Sequence, residues 1–146
     1  MNANQLVARW SWRTAVGVAA ILLAGYAGTS MGQEVKLTLS GSQEVPPVET
    51  SGSGSGTITV GADKSVSGSV TTTGVNGVAA HVHMGAPGKN GGVIIPLTKS
   101  GDSTWSVPAG AMLKDDQYAA FKAGDLYVNV HSPTHKGGEV RGQLKP

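Results

Sequence analysis

From Val35 to Leu144 the apolar side chains recur at alternate positions, in runs too short to make helices. Val35-Lys36-Leu37-Thr38-Leu39-Ser40 alternates cleanly, which predicts a strand with one buried and one polar face. Thr57–Val60 and the Thr- and Val-rich stretch Val66–Thr73 read as two more strands, with a turn at Gly61-Ala62-Asp63-Lys64 between them. Val78–Met84, Val93–Leu97, Thr104–Val107, Leu126–Ser132 and Glu139–Leu144 continue the series. Asn76-Gly77 accepts the positive φ values of a type I′ turn and predicts a hairpin between the strands on either side. One short helix is expected through Gln117–Lys122, capped by Asp115 or Asp116 and stopped by Gly124. The pair Pro46-Pro47 lacks amide donors and disfavours a ladder in Gly41–Thr50, while Ser51–Gly56 (SGSGSG) reads as a loop. About eight short strands, tight connections and one short helix predict an all-β fold: an antiparallel Greek-key sandwich or barrel.

Period two also sorts side chains by face. Val78, Ala80, Val82 and Met84 point one way, and Ala79, His81 and His83 the other. Leu126, Val128 and Val130 share an apolar face, opposed by Tyr127, Asn129 and His131. Val140, Gly142 and Leu144 face inward, with Glu139, Arg141 and Gln143 outward. Three strands thus each pair an aliphatic face with a face of chemically versatile residues.

Composition changes this picture in three ways. Glycine makes up 22 of 146 residues, about twice the usual share, and no Gly-X-Y period runs through them, so they read as turn chemistry. Cysteine is absent, which excludes disulfides, thioether haem, Cys-ligated zinc, iron–sulfur clusters and thiol catalysis for this chain. The net charge of +2 comes from the beginning of the chain. Arg9 and Arg13 precede Ala15–Gly28 (AVGVAAILLAGYAG), an uncharged stretch too short for a comfortable membrane span. That is the layout of a secretory signal peptide over residues 1–32, with Ser30-Met31-Gly32 as a cleavage site. The remaining domain, 33–146, then carries nine basic and nine acidic residues. A neutral domain lacks the basic surplus that nucleic-acid binding needs. A periplasmic or secreted protein follows, with no stable membrane insertion after cleavage.

His81-Val82-His83 places two imidazoles on one strand face, about two strand rises (~6.6 Å) apart. A third from the neighbouring strand, His131, would complete a three-His site, which suits copper or zinc where no thiolate is on offer. His135, in the loop that follows, is a candidate fourth ligand or gate. Tyr127, Asn129 and Glu139 stand where they could support the ligands. Histidines on a strand face are also common without any ligand. Met84 could offer a soft sulfur, but its parity assigns it to core packing. Arg141 either pairs with a carboxylate such as Glu139 or Glu44, or steers anions toward a metal centre.

The segments LSGSQEVPPVET (Leu39–Thr50), AAHVHMGAPGKNGGVIIPL (Ala79–Leu97), AGDLYVNVHS (Ala123–Ser132) and GGEVRGQL (Gly137–Leu144), in this order, resemble the CHRD (chordin-type) domain, in the form found singly in exported bacterial proteins. The resemblance implies a β-rich extracellular module without assigning an activity. A weaker one, to copper/zinc superoxide dismutases, rests on the His81/His83 pair, on His131 as a later ligand and on Arg141 as the arginine beside copper. With no cysteine and no evident zinc-ligand set, it implies a copper-only form. Three functions follow as expectations: an exported copper-binding domain, redox active in the manner of superoxide dismutase; a non-catalytic module binding an extracellular protein or polysaccharide; and a zinc hydrolase with Glu139 as general base.

Overall fold

The computed structural model describes residues 31–146, so the expected signal peptide lies outside the described residues except for its last two positions. Nine strands and one helix follow in order: β1 (Gln33–Ser40), β2 (Ser53–Val60), β3 (Val66–Thr73), β4 (Ala79–Met84), β5 (Gly92–Pro96), β6 (Thr98–Lys99), β7 (Thr104–Ser106), α1 (Asp115–Ala123), β8 (Leu126–His131) and β9 (Val140–Leu144). They form one antiparallel sheet in the order β5-β4-β8-β9-β1-β2-β3-β7-β6. The two edge strands, β5 and β6, are separated in the chain by Leu97 alone, so the sheet curls into a nearly closed barrel. The all-β expectation holds, with β6 as the additional strand.

Alternation supplies the core. Val35, Leu37 and Leu39 from β1, Ile58 and Val60 from β2, and Val66 and Val70 from β3 line the interior. Ala80, Val82, Trp105, Leu126, Val128, Val130, Val140 and Leu144 close it from the other strands. Each large aliphatic side chain buried this way contributes about 1.5–3 kcal/mol relative to exposure. The helix is attached through Phe121, its one buried residue, and ends at Gly124 in the left-handed conformation. Its N-cap is Lys114, whose backbone N–H donates to Gln117 Oε1 at 2.9 Å. The acidic pair expected to cap falls instead within the first turn, where it complements the helix dipole.

Two local expectations are overturned by long-range packing. Ser53–Gly56, read as part of a loop, belongs to β2 and pairs along its length with both β1 and β3. A Cβ on Gly56 would lie 2.2 Å from the carbonyl oxygen of Ser69, so the glycine serves close strand approach and not flexibility. Asn76-Gly77 forms no hairpin, because β3 lies between β2 and β7 while β4 lies between β5 and β8. The segment carries the chain between separated parts of the sheet. Gly77 is small because Val130 and Trp105 press on it, at 3.0 and 3.1 Å from where its Cβ would be.

Among the described residues no helix is long and apolar enough to cross a membrane.

Candidate metal centre

The strand register builds the site. On β4, His81 stands opposite Asn129 and His83 opposite Tyr127, while Ala79 stands opposite His131 of β8. His131 is therefore diagonal to His81 on the same face, a spacing that aromatic rings can bridge. On β9, Arg141 stands opposite Asn129 and Gln143 opposite Tyr127. The polar faces predicted for three strands merge into one continuous face.

His81 Nδ1 and His131 Nε2 are 2.9 Å apart. One ligand nitrogen from each of His81, His83 and His131 can be chosen so that all lie within 4.8 Å of one another, a cluster that could hold a metal ion. A tetrahedral ion with bonds of ~2.0 Å needs nitrogens ~3.3 Å apart. His81 makes no side-chain hydrogen bond to the backbone and is the ring freest to close the difference.

Backbone carbonyls set the tautomers of the other two rings. His83 Nδ1 lies 2.9 Å from Gly91 O, and His131 Nδ1 lies 2.9 Å from Lys136 O. A carbonyl oxygen only accepts, so each Nδ1 carries the proton and each Nε2 presents a lone pair. The proton between His81 and His131 then belongs to His81 Nδ1. Burial first, then the charges of His131 and His83, hold His81 below the ordinary imidazole pKa. His83 is held below it as well, chiefly by burial. Both effects favour the neutral, ligating form.

This face is not open to solvent as alternation alone suggests. Every residue of β8 from Leu126 to Val130 is buried, on both faces. The covering comes from the loops 41–50 and 85–91. Arg141, expected to face outward, is 1 % exposed and lies beneath them. Its Nη2 donates to Ala86 O at 3.2 Å and to Gln143 Oε1 at 3.1 Å, and its Nη1 to Asn90 Oδ1 at 3.4 Å. Asn90 in turn donates to Val45 O at 2.7 Å, tying one loop to the other. The guanidinium carbon sits 3.5 Å from the centroid of the Tyr127 ring. On that ring His83 stacks in parallel, at 4.7 Å and 3°.

The expected Glu139–Arg141 pair does not form. Glu139 accepts from Thr50 Oγ1 at 2.6 Å and lies 3.6 Å from His135 Nδ1. Burial raises its pKa, but hydrogen bonds from Ser132 and Thr50 and the charge of His135 outweigh it and hold the carboxyl low. His135 is thus engaged with Glu139 and stands apart from the three-His cluster. Met84 is also displaced from its predicted place. At the end of β4, opposite Gly92 and past a register shift between Val82 and His83, it is 37 % exposed.

Glu44, considered from sequence only as a partner for Arg141, proves central to this face. It is 4 % exposed, and its Oε1 has no hydrogen-bond partner. Burial pushes its carboxyl up to about 7, against the opposing pull of the Arg141 charge and the Asn129 amide. His83 Nε2 and Asn129 Oδ1 are likewise buried without partners. Glu44 lies in the bend that leads into Pro46-Pro47, and that proline pair is the one mark the sequence gives this segment. The carbonyls of Gly91 and Lys136 left no signal in side-chain chemistry.

Residues 35–144 match the family described as CHRD domain. No curated protein and no solved structure matches the chain.

Proposed function

We propose that this chain, which belongs to the CHRD domain family, is an exported copper-binding β module in which His81, His83 and His131 hold the ion. The observation that carries this reading is the orientation of the rings. Two imidazoles are fixed by backbone carbonyls in the tautomer whose Nε2 carries the lone pair; that of His131 accepts from His81, and that of His83 is buried with no hydrogen-bond partner. Leaving a buried acceptor unsatisfied costs about 1–3 kcal/mol, a cost that coordination would remove. Carbonyl partners on the far nitrogen are the usual device that orients metal-ligating histidines.

Copper is preferred over zinc because the donors are imidazoles alone, and Cu(II) heads the affinity order of the divalent first-row metals. Bound copper would supply one-electron chemistry between Cu(II) and Cu(I). Arg141, sealed beneath the 85–91 loop, does not present its charge to incoming anions, so the reading rests on binding and not on superoxide turnover. Export rests on the basic, then apolar, pattern of residues 1–32.

Elemental analysis of the exported protein, beside a His81→Ala, His83→Ala variant, tests the reading. One copper per chain, with an imidazole-dominated EPR signal that the variant lacks, is the expected result. Zinc in its place would correct the metal. Uptake of neither metal at micromolar concentration would overturn the site and return the chain to the reading of a non-catalytic module for an extracellular protein or polysaccharide.

A further inference from the structure

We infer that Arg141 sets which oxidation state of copper the site favours, acting as a positioning charge through the Tyr127 ring on His83; this rests on the copper reading above. The Arg141 guanidinium carbon lies 3.5 Å from the Tyr127 centroid and the His83 ring stacks on Tyr127 at 4.7 Å, with β8, which carries Tyr127, between the strands that carry the other two. Arg141 and Tyr127 are both buried, so little water lies between the charge and the ligand ring. A guanidinium does not lose its proton in a protein. A fixed positive charge therefore stands one aromatic ring behind a metal ligand.

Such a charge repels a doubly charged ion twice as strongly as a singly charged one. It therefore shifts the balance from Cu(II) toward Cu(I). At an effective dielectric constant of ~20 and roughly 10 Å, the bias is on the order of tenfold. The groups that accept from Arg141 are the neutral oxygens of Ala86, Asn90 and Gln143, which hold the guanidinium without cancelling its charge. Among the described residues the carboxyl group whose charge acts on it is Glu44, whose burial favours the neutral form.

Dissociation constants for Cu(I) and for Cu(II), measured by competition with chromophoric chelators, test this on the wild-type protein, Arg141→Gln and Arg141→Lys. Arg141→Gln is expected to strengthen Cu(II) relative to Cu(I) by about tenfold, equivalent to ~59 mV for one electron. Arg141→Lys keeps the charge and should stay within about threefold of wild type. Equal ratios in wild type and in a folded Arg141→Gln overturn the proposal, as does a Lys variant that shifts as far as Gln. Should Arg141→Gln fail to fold, Glu44→Gln at about pH 8 removes the opposing carboxylate and should move the ratio toward Cu(I). No shift there, or the reverse shift, overturns it equally. A wild-type protein that binds neither ion at micromolar concentration sinks the copper reading itself, whereas normal copper binding with an unmoved ratio sinks only the role of Arg141.

Discussion

His83 Nδ1 and the carbonyl oxygen of Gly91 stand 2.9 Å apart, so the loop between β4 and β5 folds back and fixes a ring on the strand it has just left. The loop can pass this close because Gly91 has no side chain. A Cβ there would lie 1.7 Å from Met84 O, an impossible contact that only backbone movement could relieve.

Gly91→Ala should therefore shift the loop and free the His83 ring. Outer partners of metal-bound histidines are worth about 10–100-fold in affinity, and a loss in that range is expected. Copper titration of the folded variant, with circular dichroism as the control, checks it. An affinity equal to wild type would show that the carbonyl does not orient the ligand.

Copper should stabilise the fold and cease to do so without His83. A ligand at about 100 times its dissociation constant adds about 2.7 kcal/mol, which for a domain of this size raises Tm by on the order of 10 °C. Differential scanning calorimetry with and without copper, on wild type and His83→Ala, measures this. A Tm rise of equal size in the variant would place copper elsewhere on the chain.

Glu44 predicts an unusual pH dependence. Its carboxyl has a folded pKa of about 7 against an ordinary value of 4.5, so between those values the folded state binds more protons than the unfolded. Stability contributed by this group is thus greatest below about pH 4.5 and is lost as pH rises through about 7. Glu44→Gln removes the titration, so the variant should gain on wild type by on the order of 2–3 kcal/mol between about pH 5 and about pH 8. Urea unfolding at the two pH values gives the difference. His81 and His83, held low, act in the opposite sense by losing stability as pH falls below 6.5, and the comparison with Glu44→Gln cancels them.

Phe121 is the only buried side chain of α1. Phe121→Ala should cost about 3–5 kcal/mol, in line with other buried aromatic truncations. Loss of helical signal ahead of the β signal on heating would show that the helix docks through this one ring. Simultaneous loss at an unchanged Tm would count against it.

Alternation was enough to place His81, His83 and His131 on one face, because a strand's period of two leaves no freedom in the matter. It also set the aliphatic core and the limits of β3. What it could not convey was the covering of the polar face, since the loops 41–50 and 85–91 are irregular and their contacts cross the chain. From sequence Arg141 therefore reads as outward-facing, and Glu44 only as a candidate partner for it. Asn76-Gly77 and Ser53–Gly56 depart from their local pattern for a related reason. Their local turn and linker chemistry is genuine, but strand pairing and the weight of Trp105 and Val130 decide what those residues do.

The seam at Leu97 bears on how this chain survives without crosslinks. Its N–H donates to Ala80 O at 2.9 Å, holding the junction of the two edge strands against β4. The two terminal strands of the sheet are short, five residues in β5 and two in β6. Exposed rims are the templates on which β proteins recruit one another into aggregates, and rims this short, one of them ending in proline, are poor templates. A cysteine-free barrel can thus guard against self-association by topology, where many small exported domains use disulfides for their durability.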